Sequence, residues 1–338
     1  MKKLLIGLIL TLPITGYSIN ITINESCGSL LSDQCAELTQ AIRDKANGET
    51  PDISLGTYAT GIANSTAFSS KGQSSEYADN FDLLTIKGSV GAAVQGDLND
   101  FQEAEGFGAS AAVTVGLNLD LLPVDKIGDV ELKNFDVFFS FMNYDVDTEK
   151  GDEEFKGDTS SFGMHIRWRF LEGQEYIAGH LVEWGGVQLH TGVQRTSMNL
   201  SLRRNLKDQS VTAGGLTGTF GDSLVKFDIE SQITSIPFEI STSARLLYIL
   251  TLYTGVGFDY NIGSTDISLN GAGNASGPSG YTAAISANED QTGDADATNF
   301  RAFLGAQLNL PVVRLYVHAN KGLGNDLLGV NGGIKFNW

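Results

Sequence analysis

An alternation of apolar and polar residues with a period of two dominates the chain from Leu84 onward. Such a period places successive side chains on opposite faces of an extended strand. About ten stretches show it, and they predict an all-β, antiparallel fold of about ten strands (8–12). The predicted strands lie near residues 84–94, 106–121, 131–145, 158–171, 185–203, 223–242, 246–262, 298–310, 312–320 and 326–338.

The length of these strands and the polarity of their second face favour a transmembrane β-barrel. Several stretches reach the roughly 9–11 tilted residues that cross a bilayer, more than the usual strand of about five or six. A soluble barrel or sandwich would turn its apolar face inward. Here the opposite face carries glycine, serine and charged residues, which is typical of a polar lumen inside a lipid-facing wall.

The charged residues and the histidine on this polar face are candidates for lining the lumen. They are His165, Arg167, Arg169, Arg301 and Arg314. One interpretation is an electropositive lining that favours anions. The other is that these groups pair with carboxylates of neighbouring strands or of an N-terminal helix, and so fill the interior. The narrow interior of a ten-stranded barrel favours the second interpretation.

The last predicted strand carries apolar residues at every second position and ends on an aromatic residue. Ile334, Phe336 and Trp338 resemble the signal by which the assembly machinery recognises bacterial outer-membrane proteins. With Trp338 in the periplasm, short connections near 243–244 and 310–311 face the periplasm. The longer polar segments 95–105, 145–157, 204–222 and 263–297 then form outer loops, which is the asymmetry expected of such barrels.

Residues 19–80 lack the alternation and are predicted to be helical. Apolar residues at helical spacing indicate one helix from Ser29 to Asn47, and a weaker pattern indicates a second from Ile53 to Phe68. Counting strands back from the C-terminus places this segment in the periplasm. It is expected to be a plug that enters the lumen, a small periplasmic appendage or a disordered leader, followed by a barrel over residues 81–338.

Residues 1–18 have the organisation of a secretory signal peptide. Lys2 and Lys3 precede a short apolar run, and Ser18 supplies a small residue for cleavage. Export leads to a compartment that permits disulfides, so the only two cysteines, Cys27 and Cys35, are predicted to form one. Lipidation of Cys27 is disfavoured because the polar residues before it do not fit a lipoprotein signal.

Charge and motif content exclude several functions. A formal net charge of −18 argues against a nucleic-acid partner, since phosphates require a basic surface. Asp145, Asp147 and Glu149 are candidates for a Ca²⁺ site, but Gly151 comes one position too late for an EF-hand loop. No nucleophile elbow is present, and no histidine has a serine and an acid in register. We therefore predict neither an enzyme nor a bound metal or other cofactor.

A second resemblance concerns three short segments together with the early cysteines. These segments are residues 69–72 (SSKG), 76–80 (EYADN) and 89–94 (SVGAAV). They are similar to a family of surface (lipo)proteins named for a leptospiral adhesin, although this sequence lacks a lipobox. The resemblance implies surface exposure and adhesion, and it transfers no catalytic residues.

Two functions follow for a protein of the cell outer membrane. One is a narrow or plugged channel for small or apolar solutes. The alternative is a surface-exposed adhesin or structural barrel that acts through its outer loops on a ligand of a host or prey surface. The expected partners in either case are outer-membrane lipid and the barrel-assembly machinery.

Overall fold

The computed structural model describes residues 21–49, 55–78, 83–96, 104–177, 181–206, 210–221 and 223–337. In this described part lie two α-helices, α1 (Ser32–Glu49) and α2 (Leu55–Ser69). The strands of the same ranges are β1 (Ile21–Ser26), β2 (Leu84–Gly96), β3 (Ala104–Asn118), β4 (Lys126–Ile127), β5 (Val130–Glu131), β6 (Phe135–Lys150), β7 (Glu153–Leu171), β8 (Gln174–Ile177), β9 (Val182–Leu206), β10 (Ser210–Ala213), β11 (Leu216–Phe220), β12 (Ser223–Leu246), β13 (Leu250–Ser276), β14 (Thr282–Asp294), β15 (Thr298–Asn309), β16 (Arg314–Gly322) and β17 (Leu327–Asn337). Among these residues, no helix combines the length and the apolar character that crossing a membrane requires.

Ten long strands close into a ring in which every pair of neighbours is antiparallel. The order is β2, β3, β6, β7, β9, β12, β13, β15, β16 and β17, and β17 pairs again with β2. Each corresponds to a predicted strand, so the predicted barrel is confirmed. The turn expected near 243–244 lies instead at 247–249, because β12 continues to Leu246 before it pairs back onto β13.

The two faces of the ring differ in polarity as the alternation predicted. On β7, Phe162 and Met164 face outward and are 62% and 54% exposed, whereas Ser161 and Arg167 are buried inside. The outward residues of the other ring strands repeat this apolar character, for example Phe141, Phe238, Val256, Phe300, Leu304 and Val330. A continuous apolar belt around a polar interior is the surface that a bilayer requires.

Beyond the belt, at the end opposite the C-terminus, the polarity of the two faces is exchanged. Along β13 the apolar residues point outward as far as Ile262. After Gly263 they point inward, where Ile267 and Leu269 are buried, while Asp266 is exposed on the outside. This part of the ring therefore has the polarity of a soluble β-structure with an apolar core.

This far end forms a folded head. We use this name for β1, α1, β10, β11, β14 and the adjoining ends of β6, β7, β9, β12 and β13. The prediction of long outer loops at 145–157 and 263–297 was wrong, because β6, β7, β13 and β14 occupy most of both segments. A β10–β11 hairpin likewise occupies much of 204–222. The alternation did not predict these parts of the strands, because their apolar residues move from the outward-facing to the inward-facing positions.

The N-terminal segment also differs from its expected place. Strand β1, which was not predicted, pairs with β14 in the head, with Ile21 opposite Ala287 and Ser26 opposite Thr282. Helix α1 packs against β1, β10 and β11. Residues 21–49 therefore lie at the far end of the barrel and not at the end of the C-terminal strand, where they were expected.

From the head the chain runs through the ring. Helix α2 is enclosed by β2, β3, β9, β12, β13, β14 and β17. Its backbone touches the wall so closely that a Cβ on Gly61 would lie 2.2 Å from the carbonyl oxygen of Glu105. The following residues, 70–78, are buried inside the ring, and β2 then begins at the end where Thr85 pairs with Asn337.

Candidate functional site

The interior of the barrel is filled by residues 70–78 (SKGQSSEYA), which we call the lumen segment. All nine are buried, although most of them are polar. A buried polar group is tolerated when it is hydrogen-bonded, and a buried charge when it is paired. The wall supplies such partners from the polar inward positions of its strands, and these partners define the site.

The first group of contacts surrounds Lys71. Its Nζ lies 3.1 Å from Oδ1 of Asp259 on β13, and both side chains are buried. The other carboxylate oxygen of Asp259 accepts a hydrogen bond from Nε of Arg301 at 2.9 Å. Arg301 also donates to Glu239 and, at 2.7 Å, to Asn320 Oδ1. Strands β12, β13, β15 and β16 are thus joined to the lumen segment through one charged network.

The second group surrounds Glu76. Its Oε2 lies 2.8 Å from Nζ of Lys335 on β17. Its backbone carbonyl accepts a hydrogen bond of 3.0 Å from Nη1 of Arg167 on β7. Arg167 donates through Nε to Asp136 on β6 at 2.6 Å. On β2, Lys87 donates to the backbone carbonyls of Gly72 and Ser75 at 3.2 and 2.5 Å.

Tyr77 fills the middle of the lumen with an aromatic ring. Its hydroxyl donates to Oε2 of Glu239 at 2.7 Å. The ring lies 4.8 to 5.6 Å, between ring centroids, from those of four wall residues, at which distances aromatic rings attract one another. These residues are His190, Tyr253, Phe303 and His318.

Uncharged contacts hold the rest of the segment. The hydroxyls of Ser74 and Ser140 share a hydrogen bond of 2.7 Å, and Ser74 donates to Oε1 of Gln194 at 2.5 Å. The hydroxyl of Thr114 donates to the carbonyl of Gln73 at 3.0 Å. The lumen segment is therefore bound to opposite sides of the ring.

The structure places the predicted lumen residues at two levels. His165, Arg167 and Arg301 are fully buried beside the lumen segment. Arg169 is 16% exposed nearer the C-terminal end, where it donates to the carbonyl of Lys133. Arg314 is half-buried at the same end. Arg167 and Arg301 are paired with carboxylates of neighbouring strands.

The sequence did not reveal the carboxylates that complete the site. Asp136, Glu239 and Asp259 all occupy inward positions of predicted strands, so the alternation itself contained the signal. Lys71 and Glu76 could not be found this way, since no periodicity marks the lumen segment. Near the segment, five buried cations face four buried carboxylates, namely Lys71, Lys87, Arg167, Arg301 and Lys335 against Glu76, Asp136, Glu239 and Asp259.

Beside the lumen segment, the described residues border two small voids. The void between the segment and His165, Gln194 and Pro237 measures about 10 Å³, which is room for roughly one water molecule. A larger cavity of about 440 Å³ lies at the end of the barrel where the C-terminal strand finishes, which we call the near end. It is bordered by Asn118, Lys133, Arg169 and Glu172 among others. This larger cavity is a recess of the near end, beyond the lumen segment.

The head has its own core and crosslink. The predicted disulfide is confirmed: Cys27 and Cys35 are bonded, with their Cα atoms 5.6 Å apart. Cys35 packs with Leu38 and Ile42 of α1 against β1 and β14. The hydroxyls of Thr39 and Tyr281 share a buried hydrogen bond of 3.0 Å. These contacts attach α1 to the far end of the ring.

The remaining predicted residues lie on the outside. Asp145, Asp147 and Glu149 follow one another at exposed, same-face positions of β6. In the described ranges, no group of three or more His, Cys, Asp or Glu side chains could hold a metal ion.

Two of the three residues of the predicted C-terminal assembly signal lie in the described part of the chain. Ile334 of β17 faces outward in the belt and Phe336 is half-buried on the same face. Trp338 lies outside the described residues.

One protein family and several solved structures are similar to this chain. The family model described as Lsa36-like matches residues 19–338. The transport unit of the autotransporter AIDA-I from Escherichia coli is similar at 11% identity and a TM-score of 0.36, over 82% of this chain and 99% of that one. A major outer membrane protein from Thermus thermophilus is similar at 12% identity and a TM-score of 0.30, over 75% of this chain and 99% of that one. No curated protein matches the sequence. From the family match and the closed ring with its apolar belt, the chain belongs to the Lsa36-like family and forms a β-barrel of the bacterial outer membrane.

Proposed function

We propose that this protein acts at the cell surface through its head, as a binding or structural protein, and that its lumen stays closed. The observation that carries the proposal is the filled lumen, in which the charges of the segment and the wall are paired with one another. No catalytic role is part of this proposal.

The paired charges make opening of the lumen unfavourable. Removing the lumen segment would leave Asp259 without Lys71 and Lys335 without Glu76, in a space enclosed by the wall. Spontaneous withdrawal of the lumen segment would break these ion pairs and the neighbouring hydrogen bonds together. We therefore do not expect solutes to pass through the lumen.

The head supports the second half of the proposal. Its strands continue the ring beyond the apolar belt and enclose the apolar residues Leu55, Ile62, Met198, Ile229 and Ile267. A packed head has a fixed surface, and a fixed surface loses less conformational entropy on binding than flexible loops do. This agrees with a ligand on a host or prey surface.

Single-channel conductance in a planar bilayer tests the closed lumen. The refolded mature protein is expected to give no conductance steps, and a variant that lacks residues 21–78 is expected to give them. Retained heat-modifiable migration on a gel would show that the variant still forms a barrel. Steps in the full-length protein would instead support the second candidate, a channel for small solutes, and would reject the closed lumen.

Cell adhesion tests the role of the head. Bacteria that express the protein should adhere to host or prey cells more than bacteria that lack it. Replacing the β10–β11 hairpin, residues 210–221, by a short glycine-serine turn is expected to lower adhesion. The matched control shortens the β4–β5 hairpin, residues 126–131, at the opposite end of the barrel and should have no effect. Equal adhesion with and without the protein would contradict a binding role.

A further inference from the structure

The path of the chain relates the two ends of the barrel. Residues 21–49 belong to the head, α2 and the lumen segment lie inside the ring, and β2 begins at the end where the C-terminal strand finishes. The chain thus enters the ring at the far end and leaves it at the near end before the first strand of the ring is formed.

The ring leaves no lateral route for this arrangement. Its ten strands are paired in a closed circle, and the pairing of β17 with β2 runs from Leu327 opposite Gln95 to Asn337 opposite Thr85. A segment inside a closed circle either threads through it from one end or is already in place when the last pair of strands forms.

The position of the membrane gives this path a direction. The turns at 247–249 and 310–313 lie at the C-terminal end, whereas the strands are extended at the head. In outer-membrane barrels the short turns face the periplasm and the extended parts face outward. This orientation is also the basis of the proposed function.

We propose that the barrel carries its own N-terminal segment across the outer membrane, so that residues 21–49, and any polypeptide joined in front of them, are displayed on the cell surface. The partner of this activity is a polypeptide in helical or turn-rich, irregular form, because those are the conformations that the lumen encloses here.

The fit between α2 and the wall supports such passage. The helix is rich in small residues, and on β3 a Cβ at Gly106 would lie 2.0 Å from the carbonyl carbon of Gly61. A Cβ at Gly108 would lie 2.4 Å from the carbonyl oxygen of Ser65. Glycine at these two wall positions makes room for the backbone of α2, because a side chain at either would collide with it.

The head then holds the segment after passage. Pairing of β1 with β14, together with the packing of α1 and the Cys27–Cys35 loop, forms a structure on the far side of the ring. On the near side, β2 is part of the wall. The chain inside the ring is therefore fixed at both ends, by the head and by β2. We expect residues 21–49 to stay on the cell surface permanently.

Cysteine labelling on intact cells tests the display directly. One cysteine is introduced at a time into the otherwise native protein, whose bonded Cys27 and Cys35 do not react with a maleimide. The positions are Leu31 in the N-terminal segment (71% exposed), Asp152 at the β6–β7 turn of the head and Ile127 at the near end (67% exposed). The reagent is a membrane-impermeant maleimide, and the unsubstituted protein is the blank.

The proposal expects Leu31→Cys and Asp152→Cys to be labelled on intact cells and Ile127→Cys only after permeabilisation. If Asp152→Cys is labelled on intact cells but Leu31→Cys is not, the head faces outward and the display is wrong. If Ile127→Cys is labelled and Asp152→Cys is not, the barrel has the opposite orientation and the proposed function fails as well.

An inserted epitope extends the test to foreign sequence. A short flexible epitope placed directly before Ile21 should bind its antibody on intact cells to the same extent as one placed at Asp152. An epitope that is detected only after permeabilisation, in a barrel that still shows heat-modifiable migration, would overturn the proposal.

Discussion

Glu76 of the lumen segment and Lys335 of the last strand form a buried ion pair, with 2.8 Å between Oε2 and Nζ and side chains that are 6% and 0% exposed. Lys335 lies on the strand that closes the ring by pairing with β2. The ion pair therefore connects the lumen segment to the strand pair, β17 and β2, that closes the ring. The pair thus links two residues that lie 259 positions apart in the chain.

Breaking this pair on one side should destabilise the barrel. Lys335→Met removes the cation that pairs with the buried Glu76 carboxylate, and we expect a loss of about 3–5 kcal/mol in the free energy of unfolding. Urea unfolding in detergent micelles, followed by heat-modifiable migration on gels, measures it. The double variant Glu76→Gln/Lys335→Met should be more stable than Lys335→Met alone. Losses that simply add would show that the two groups are independent.

A matched control for this experiment lies on the outside of the head. Lys156 pairs with Glu154 at 2.5 Å, but its side chain is 52% exposed. Water and salt screen exposed pairs, so Lys156→Met should leave the unfolding midpoint unchanged. A comparable loss for both lysines would mean that burial does not determine the effect.

Side chains added where α2 touches the wall should displace the helix. At Gly106 a new Cβ would lie 2.0 Å from backbone atoms of α2, so Gly106→Val should destabilise the protein by about 3 kcal/mol or more. Nothing lies within 4 Å of a Cβ at Gly88 on the outer face of β2, which makes Gly88→Val the control. The measurement is the unfolding midpoint of each variant. Equal midpoints would contradict the close approach of Gly106 to the backbone of α2.

The height of the apolar belt can be tested with two positions on one strand. Phe238 and Gln232 both face outward on β12, but Phe238 lies within the belt and Gln232 lies near its border with the head. Phe238→Arg should cost about 2–4 kcal/mol, and Gln232→Arg much less, because the cost of a charge facing lipid falls toward the interface. Reversible folding into lipid vesicles measures both values. A larger cost at Gln232 would place the belt differently.

The disulfide should stabilise the head but not the ring. We expect Cys27→Ser/Cys35→Ser to lower the stability of the head by about 2–3 kcal/mol, since the bond closes a short loop. Hydrogen exchange should then increase in β1 and α1 and stay unchanged in ring strands such as β7. The heat-modifiable migration should persist. Loss of the barrel itself would show that the head is needed to keep the ring closed.

The sequence by itself determined the ring. Its ten strands, the outward face of residues such as Phe162 and Met164, and the inward place of Arg167 all follow from a period of two, because a strand has only two faces and a bilayer accepts only one of them. The disulfide followed from the number of cysteines and from export. These are local or compositional properties, and local patterns report them.

Only the tertiary structure decided what the barrel contains and where the N-terminus lies. The lumen segment has no periodicity, and its fold depends on partners such as Asp259 and Lys335, which lie 188 and 259 positions after Lys71 and Glu76 respectively. The pairing of β1 with β14 is equally distant in sequence. The strands of the head were hidden because their apolar residues face an interior that exists only once α1 and α2 are in place. Contacts between segments far apart in the chain leave no local pattern, so only the assembled barrel reveals them.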